Sequence, residues 1–294
     1  MPKAGLDIGS NSIKIAVVDE AGTVLLDDSR VVGLSKGLGE RGLFKADRME
    51  AALTAIVELV EKARAVGATD IRAVATSGAR RAMNAGTFFD RVRERTGVKV
   101  STVSGEEEAR LTWLGARFGL NLPGETALFD LGGGSTEVVL GDQHTQPTFR
   151  ISLEIGAVRL TEAHLGTDDV APSALAACRD HVRNQLATVK WPRLPRAALA
   201  VGGTATTIGA MELKLETFDA ARIQGMRLDR AQLRRWIDRL LPASPEERRT
   251  IAAIAPDRAD FLLAGCVVLE ACLEAARRES LIVSTGGVRY GLVA

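Results

Sequence analysis

Two short segments of the sequence each combine an aspartate, a glycine turn and hydroxyl side chains. The first is Asp7-Ile8-Gly9-Ser10-Asn11-Ser12, and the second is Asp130-Leu131-Gly132-Gly133-Gly134-Ser135-Thr136-Glu137. Aligned on their aspartates, they share a glycine two residues later and a serine five residues later. Each segment leads into a β-rich run that ends at a turn. We therefore predict a strand, a glycine turn and two further strands in both copies.

Glycine turns of this kind are suited to bind phosphate, because successive backbone N–H groups form a concave anion site. Glycine lets the backbone come close to the ligand, and hydroxyl side chains add hydrogen-bond donors. The candidate phosphate-binding residues lie in the two turns: Ser10, Asn11, Ser12, Gly133, Gly134, Ser135 and Thr136. One such turn could be an ordinary hairpin, but two aligned copies at the start of two domains favour a function.

The carboxylates beside these turns predict a metal site. Carboxylates repel phosphate unless a cation lies between them, and Mg²⁺ takes carboxylate, phosphate and water oxygens. We therefore assign Asp130 and Glu137 to Mg²⁺, with Asp7 as a further candidate ligand and Mn²⁺ as the alternative ion. A P-loop and a dinucleotide fingerprint are excluded, because both need a helix directly after the glycines.

An acidic segment, Ser104-Gly105-Glu106-Glu107-Glu108-Ala109-Arg110, opens a predicted helix. Ser104 with Glu107 predicts a capping box, and acidic residues in a first turn suit the helix dipole. The alternative is that one of the glutamates orients or deprotonates a water, as general bases do. Both interpretations stay open from the residues alone. A second capping box is predicted at Ser244-Pro245-Glu246-Glu247.

A basic pair, Arg80 and Arg81, stands where a short predicted strand meets a helix. Guanidinium groups bind phosphate through two parallel hydrogen bonds, so the pair is a candidate for anion binding. A solvated basic face is the plainer interpretation. Lys14, Lys36 and Arg41 are further candidates for contact with an anionic chain.

Helices alternate with strands along the rest of the chain, which indicates an α/β protein. Helical spacing of apolar residues, with capping signals, predicts helices at 47–64, 104–114, 173–186, 229–241 and 257–276. Two late strands are predicted at 197–201 and 281–283. A length of 294 residues argues for two domains. The segment Asn121-Leu122-Pro123-Gly124 marks their boundary, which gives domains 1–121 and 122–294.

Composition excludes several classes of protein. Lys and Arg number 38 against 37 Asp and Glu, and this balance excludes a broad basic surface for nucleic acid or an anionic membrane. The N-terminus does not read as a signal peptide, and the longest apolar run, Phe261 to Leu269, is too short to span a bilayer. Cys178, Cys266 and Cys272 are too scattered for a disulfide framework or a zinc site. We therefore expect reduced thiols in a cytoplasmic protein.

These motifs resemble those of the exopolyphosphatase / guanosine-pentaphosphate phosphatase family. The resemblance rests on the two aspartate–glycine segments and on the Ser-Gly-x-Glu-Glu-Ala-Arg run at 104–110. No His-Asp dipeptide occurs in the sequence, so the resemblance is to the short, two-domain form of the family. Three further matches are Gly156-Ala157-Val158-Arg159-Leu160-Thr161, Gly202-Gly203-Thr204 and Pro256-Asp257-Arg258-Ala259-Asp260.

The resemblance implies two ribonuclease-H-like domains of the actin-like ATPase superfamily, which includes sugar kinases and actin, with an interdomain cleft. In such folds the last segment of the chain can return to the first domain. By motif position, the family's catalytic glutamate corresponds to Glu108 and its phosphate-binding arginine to Arg80. Its carboxylates for metal and water correspond to Asp130 and Glu137.

We therefore expect an exopolyphosphatase, which hydrolyses the terminal phosphoanhydride of inorganic polyphosphate with Mg²⁺ and releases orthophosphate. Hydrolysis of the 5′-terminal phosphate of guanosine pentaphosphate is the alternative, because both substrates end in a phosphoanhydride. A small-molecule kinase with an adenosine pocket near Gly202-Gly203-Thr204 and a non-enzymatic sensor of phosphorylated nucleotides are the remaining alternatives. The sequence carries no signal for oligomeric state and leaves a homodimer open.

Overall fold

The chain is organised as two units in a computed structural model that describes residues 1–38, 42–142, 147–251 and 258–294. The first unit comprises Met1–Gly119 with Gly286–Ala294, and the second comprises Leu120–Thr285. The sequence analysis ended the first domain at residue 121 and placed the last residues in the second domain, with a return to the first as an option. The structure groups those last residues with the first unit.

The first unit is built on a five-stranded sheet in the order β3-β2-β1-β4-β5. Its strands are β1 (Lys3–Ile8), β2 (Ser12–Val18), β3 (Val24–Val31), β4 (Asp70–Ala75) and β5 (Val100–Thr102). The first three strands form antiparallel pairs, whereas β4 runs parallel to β1 and β5 parallel to β4. The β-branched residues of β2 favour this pleated, buried position, and most of its side chains are buried.

The second unit repeats this arrangement in a six-stranded sheet, ordered β10-β11-β9-β6-β7-β8. Its strands are β6 (Thr126–Leu131), β7 (Thr136–Gly141), β8 (Phe149–Leu153), β9 (Ala197–Val201), β10 (Arg227–Asp229) and β11 (Ser280–Val283). Apart from β10, the order and directions match those of the first sheet. Both units therefore have the ribonuclease-H-like topology. This confirms the predicted fold class, an α/β protein of the actin-like ATPase superfamily.

Helices cover the sheets of both units. In the first unit they are α1 (Ala46–Ala65), α2 (Ser77–Arg81), α3 (Ala85–Thr96), α4 (Gly105–Ala116) and α12 (Val288–Gly291). In the second unit they are α5 (Ala157–Leu160), a π-helical turn (Thr161–Leu165), α6 (Pro172–Ala187), α7 (Gly203–Glu212), α8 (Ala220–Ile223), α9 (Arg230–Leu240), α10 (Pro245–Thr250) and α11 (Ala259–Ala275). Each predicted helix has a counterpart within a few residues.

Local signals explain several of these elements. The predicted capping box at Ser244 is confirmed, since its hydroxyl accepts from the Glu247 N–H at 3.2 Å and the Glu247 carboxylate accepts from the Ser244 N–H at 2.8 Å. Helix α11 is apolar on nearly all sides and forms the centre of the second unit's core. None of the helices in the described part of the chain is both long enough and apolar enough to cross a bilayer.

Candidate active site

The two aspartate–glycine segments form the same hairpin turn. In the first unit, the Gly9 N–H donates to the Ser12 carbonyl at 3.0 Å, which closes the turn between β1 and β2. In the second unit, the Gly132 N–H donates to the Ser135 carbonyl at the same distance of 3.0 Å. The predicted strand, glycine turn and strand are therefore confirmed in both copies.

The turn of the first unit is held by the segment that follows β3. The Asn11 carbonyl accepts from the N–H groups of Val32 and Gly33 at 2.9 and 2.8 Å, and the Ser10 carbonyl accepts from the Ser35 N–H at 2.9 Å. The Ser10 hydroxyl also lies 3.2 Å from the hydroxyl of Ser77, at the start of α2. Ser10, one of the predicted phosphate-binding residues, is therefore packed beside the start of the helix that carries Arg80.

Helix α4 begins as the sequence predicts, but its capping box is only half present. The Ser104 hydroxyl accepts from the Glu107 N–H at 3.1 Å. In a full capping box the Glu107 carboxylate would also accept from the Ser104 N–H. Here that carboxylate instead accepts two hydrogen bonds of 2.7 Å from Arg110. The prediction of a capping box was wrong in this respect, since an arginine one turn further along competes for the glutamate.

Glu108 and Arg80, which the resemblance implied, meet in the first unit. The Arg80 Nη1 donates to the Glu108 Oε2 at 2.7 Å and to the Val103 carbonyl at 2.9 Å. The side chain of Arg80 is 31% exposed and that of Glu108 is 29% exposed, so both can reach a ligand from solvent. A candidate base and a candidate phosphate-binding cation are thus paired with each other.

Asp7 lies at the end of β1 with one carboxylate oxygen buried and without a hydrogen-bond donor among the described residues. Burial raises the pKa of Asp7 to about 6, while Lys14 and Arg289 act to lower it and Glu108 to raise it. A buried carboxylate oxygen that lacks a donor is costly unless it meets a cation or a proton. This oxygen fits the expectation that Asp7 faces a metal ion.

The second unit places its two predicted metal ligands opposite each other. Asp130 on β6 and Glu137 on β7 are cross-strand partners. The Glu137 Oε1 accepts from the hydroxyls of Ser135 and Ser152 at 2.7 and 2.8 Å. The sequence analysis missed Ser152, because its role depends on the register of β8 against β7, where it is the cross-strand partner of Glu137.

The residue paired across the hairpin with the aspartate differs between the two units. Lys14 is the cross-strand partner of Asp7, whereas the corresponding partner of Asp130 is Glu137. Mg²⁺ commonly uses one or two carboxylates and completes its shell with water and phosphate oxygens, so the pair in the second unit fits such an ion. Across the described ranges, no group of three or more His, Cys, Asp or Glu side chains is arranged to hold a metal.

The glycine turn of the second unit is fixed by the segment that follows β8. The Ala157 N–H donates to the Gly132 carbonyl and the Arg159 N–H to the Gly133 carbonyl, each at 3.0 Å. The Arg159 Nε donates to the Gly134 carbonyl at 2.8 Å. These hydrogen bonds to three successive carbonyls support the turn from one side, as a preorganised anion site requires.

Thr136 does not offer its hydroxyl to a ligand as the sequence analysis expected. The side chain is fully buried and donates to the Ile155 carbonyl at 2.8 Å. We therefore assign this hydroxyl to the support of the turn. Ser135 hydrogen-bonds the Glu137 carboxylate, and Gly133 and Gly134 are exposed.

Replacing Gly156 with alanine should destabilise the second unit by roughly 1–3 kcal/mol. A Cβ at this position would collide with the backbone of Gly133 and Gly134, which cannot swing aside as a side chain can. Urea unfolding measures the loss. Gly134→Ala is the matched control, because a Cβ there meets no atom within 4 Å. Equal stability of the two variants would contradict the predicted support of the turn by Gly156.

The glycines proposed for an adenosine pocket are half-buried and closely approached by neighbouring atoms. Gly202 has φ +104° and its Cα faces the Leu131 carbonyl, while the Arg258 guanidinium occupies the position that a Cβ of Gly203 would take. The Pro256 and Asp257 of the adjoining motif lie outside the described residues, as does Arg41. The described part of this region therefore offers no open space directly above Gly203.

Comparison with known proteins agrees with this fold. Residues 15–294 match the model of the Ppx/GppA phosphatase family. Exopolyphosphatase 2 of Mycobacterium tuberculosis is 31% identical over 284 residues, which cover 91% of this chain and 88% of that protein. Exopolyphosphatase 1 of Mycobacterium bovis is 30% identical over 302 residues, which cover 98% of this chain and 86% of that protein.

Solved structures give the same result. The crystal structure of the Aquifex aeolicus member of the Ppx/GppA family matches with a TM-score of 0.88 and 31% identity, over 100% of this chain and 96% of that one. The family match and the names of these relatives indicate a phosphatase, which is a class of hydrolase. The chain belongs to the Ppx/GppA phosphatase family.

Proposed function

We propose that the protein is an exopolyphosphatase, which hydrolyses the terminal phosphoanhydride of inorganic polyphosphate and releases orthophosphate. The observation that carries the proposal is the pairing of Arg80 with Glu108 at 2.7 Å, because it joins a phosphate-binding cation to a carboxylate base. The naming of two relatives as exopolyphosphatases supports polyphosphate as the substrate.

The proposed chemistry begins with exchange of partners at Arg80. A terminal phosphoryl group offers oxygens that bind a guanidinium in place of a carboxylate. Arg80 then stabilises the negative charge of the phosphoryl group, and Glu108 is released to take a proton from the attacking water. Phosphoryl transfer depends mainly on such positioning and charge stabilisation. The turn residues 10–12 supply further donors in the first unit.

Mg²⁺ completes the proposal as the cofactor, with Mn²⁺ as the alternative. Within the second unit, Asp130 and Glu137 would hold the ion, and the Ser135 and Ser152 hydroxyls keep the Glu137 carboxylate in place. Within the first unit, Asp7 is the carboxylate that a cation would neutralise. When bound, the ion offsets phosphate charge and polarises the phosphoryl group. The turn of residues 133–135, in which Gly133 and Gly134 are exposed, would bind phosphate oxygens through its N–H groups.

The substrate is tested by orthophosphate release from long-chain polyphosphate and from guanosine pentaphosphate, each with Mg²⁺ and with EDTA. We expect kcat/KM to be at least about tenfold higher for polyphosphate, and EDTA to abolish release until Mg²⁺ is restored. Preference for guanosine pentaphosphate would support the second candidate, a guanosine pentaphosphate phosphohydrolase. Phosphate release that continues undiminished in EDTA would contradict the metal assignment.

Two other classes are separated by measurements of ATP consumption and of ligand binding. A kinase would consume ATP only when a sugar or acetate acceptor is added. A sensor would bind guanosine pentaphosphate in calorimetry and release no orthophosphate. The Arg80–Glu108 pair argues against a sensor, because binding alone does not require a base.

We also propose a cytoplasmic location, which the cysteines support. Cys178, Cys266 and Cys272 are all buried free thiols. Unpaired thiols are typical of reducing compartments. Cell fractionation with an antibody to the protein tests the location.

A further inference from the structure

The last segment of the chain, Gly286–Ala294, packs against two elements of the first unit. These are β1, which carries Asp7, and α4, which carries Glu108. Gly5 on β1, Ala16 on β2 and Asp27 on β3 are aligned partners in one row across the sheet. Helix α12 lies over this row, and the Arg289 carbonyl sits against Gly5, where a Cβ would collide with it. Only small residues at the first two positions allow so close an approach.

Arg289 joins the segment to Asp27, the residue at the β3 end of this row. Its Nε and Nη2 donate to the two carboxylate oxygens of Asp27 at 2.8 and 2.9 Å, and the Tyr290 hydroxyl donates to the same carboxylate at 2.8 Å. Arg289 is only 7% exposed, so this pair is largely shielded from water. Paired and hydrogen-bonded charges in such surroundings hold a defined geometry.

The other side of the segment contacts α4 through backbone atoms. A Cβ at Gly115 would collide with the Gly287 carbonyl, and a Cβ at Gly291 would collide with the Leu111 carbonyl. Leu111 lies about one helical turn after Glu108. Because backbone packs directly on backbone at these two glycines, a shift of the segment toward α4 would displace the helix that bears Glu108.

Asp7 belongs to the same face of the sheet. It follows Gly5 by two residues on β1, and alternate residues of a strand point to one face. Arg289 is also close enough to act on the ionisation of Asp7. The segment therefore lies between the strand that ends near Asp7 and the helix that begins near Glu108.

We propose that Arg289 is a positioning residue for the phosphatase reaction, which it serves by locking the last segment to Asp27 and so holding α4, with Glu108, against β1. The proposal rests on the proposed function for its effect on rate, although its effect on α4 does not. A displacement of about 1 Å in a reacting group can cost on the order of 10²-fold in rate. The loss should fall on kcat rather than on KM, because Glu108 acts on the water and not on substrate binding.

The experiment compares Arg289→Met, Arg289→Lys and Asp28→Asn in the full chain. Asp28 is the matched control, since it neighbours Asp27 on β3 but pairs with Lys62 of α1 at 2.7 Å. We expect Arg289→Met to lower kcat by about 10–100-fold with KM changed less than about threefold. Arg289→Lys should restore part of kcat, and Asp28→Asn should leave it within about twofold. If Arg289→Met does not fold, Asp27→Leu/Arg289→Met replaces the buried pair by apolar groups.

Hydrogen–deuterium exchange of the α4 amides gives a second readout that needs no substrate. We expect faster exchange in 105–116 for the Arg289→Met protein, or for the double variant, and unchanged exchange for Asp28→Asn. Wild-type kcat with unchanged α4 exchange would overturn the positioning role. A wild-type protein that releases no orthophosphate from either substrate would instead overturn the proposed function, and the exchange comparison would still decide the role of Arg289.

Discussion

Glu108→Gln should lower the rate of orthophosphate release from polyphosphate by about 10²–10⁴-fold, the usual contribution of a general base. Glutamine keeps the size of the side chain and one oxygen for the Arg80 hydrogen bond, but it cannot take the proton of the attacking water. The measurement is kcat under saturating polyphosphate, with circular dichroism to show that the helix persists.

Glu107→Gln is the matched control for this experiment. Glu107 precedes Glu108 in the first turn of α4 and has its own arginine partner, Arg110, at the same distance of 2.7 Å. We expect the control to keep kcat within a few-fold of wild type. Equal activity of Glu108→Gln and wild type would remove the base assignment, and equal losses in the two variants would assign the effect to the helix terminus.

Asp7→Asn should stabilise the metal-free protein at neutral pH while it lowers activity. Burial raises the pKa of Asp7 to about 6 from the usual 3.8. At pH values between these two, the folded state therefore keeps a proton that the unfolded state has already released. Ionised Asp7 therefore reduces stability progressively as pH rises from about 4 to 6, and the full cost of about 2–3 kcal/mol persists above that range.

The measurement is the free energy of unfolding of wild type and Asp7→Asn at pH 7.5 and at pH 4, without metal. The variant should gain stability at pH 7.5 and gain none at pH 4, because asparagine has no carboxylate to ionise. A gain of equal size at both pH values would contradict the electrostatic origin. A residue that costs stability yet is required for activity is typical of a site built for a ligand.

Local chemistry explains what the sequence predicted well. The hairpins follow from apolar runs on either side of glycine turns, and β9 has the predicted bounds, 197–201. These signals lie within a few neighbouring residues, so no tertiary contact can easily override them. The half-formed capping box at Ser104 shows the limit of such local prediction. The Glu107 carboxylate can bind either the Ser104 N–H or the Arg110 guanidinium, and in the structure it binds Arg110.

Long-range geometry explains what the sequence alone did not predict. The residues proposed an anion-binding arginine pair and a general-base glutamate, but only the resemblance singled out Arg80 and Glu108, whose contact joins residues that are 28 positions apart. The bond of Ser152 to Glu137 depends on the register of β8 against β7, which the sequence analysis did not predict. The Asp27–Arg289 pair spans 262 positions and exists only because the chain returns to its first sheet.

That return sets the order in which the protein can be completed during synthesis. The ribosome makes the chain from its N-terminus, so residues 120–285 are all available before Arg289 has been added. A nascent chain arrested before residue 286 holds every residue of the second unit, yet its first sheet lacks the closing helix over Gly5. The unit that is translated first is therefore the last to be finished.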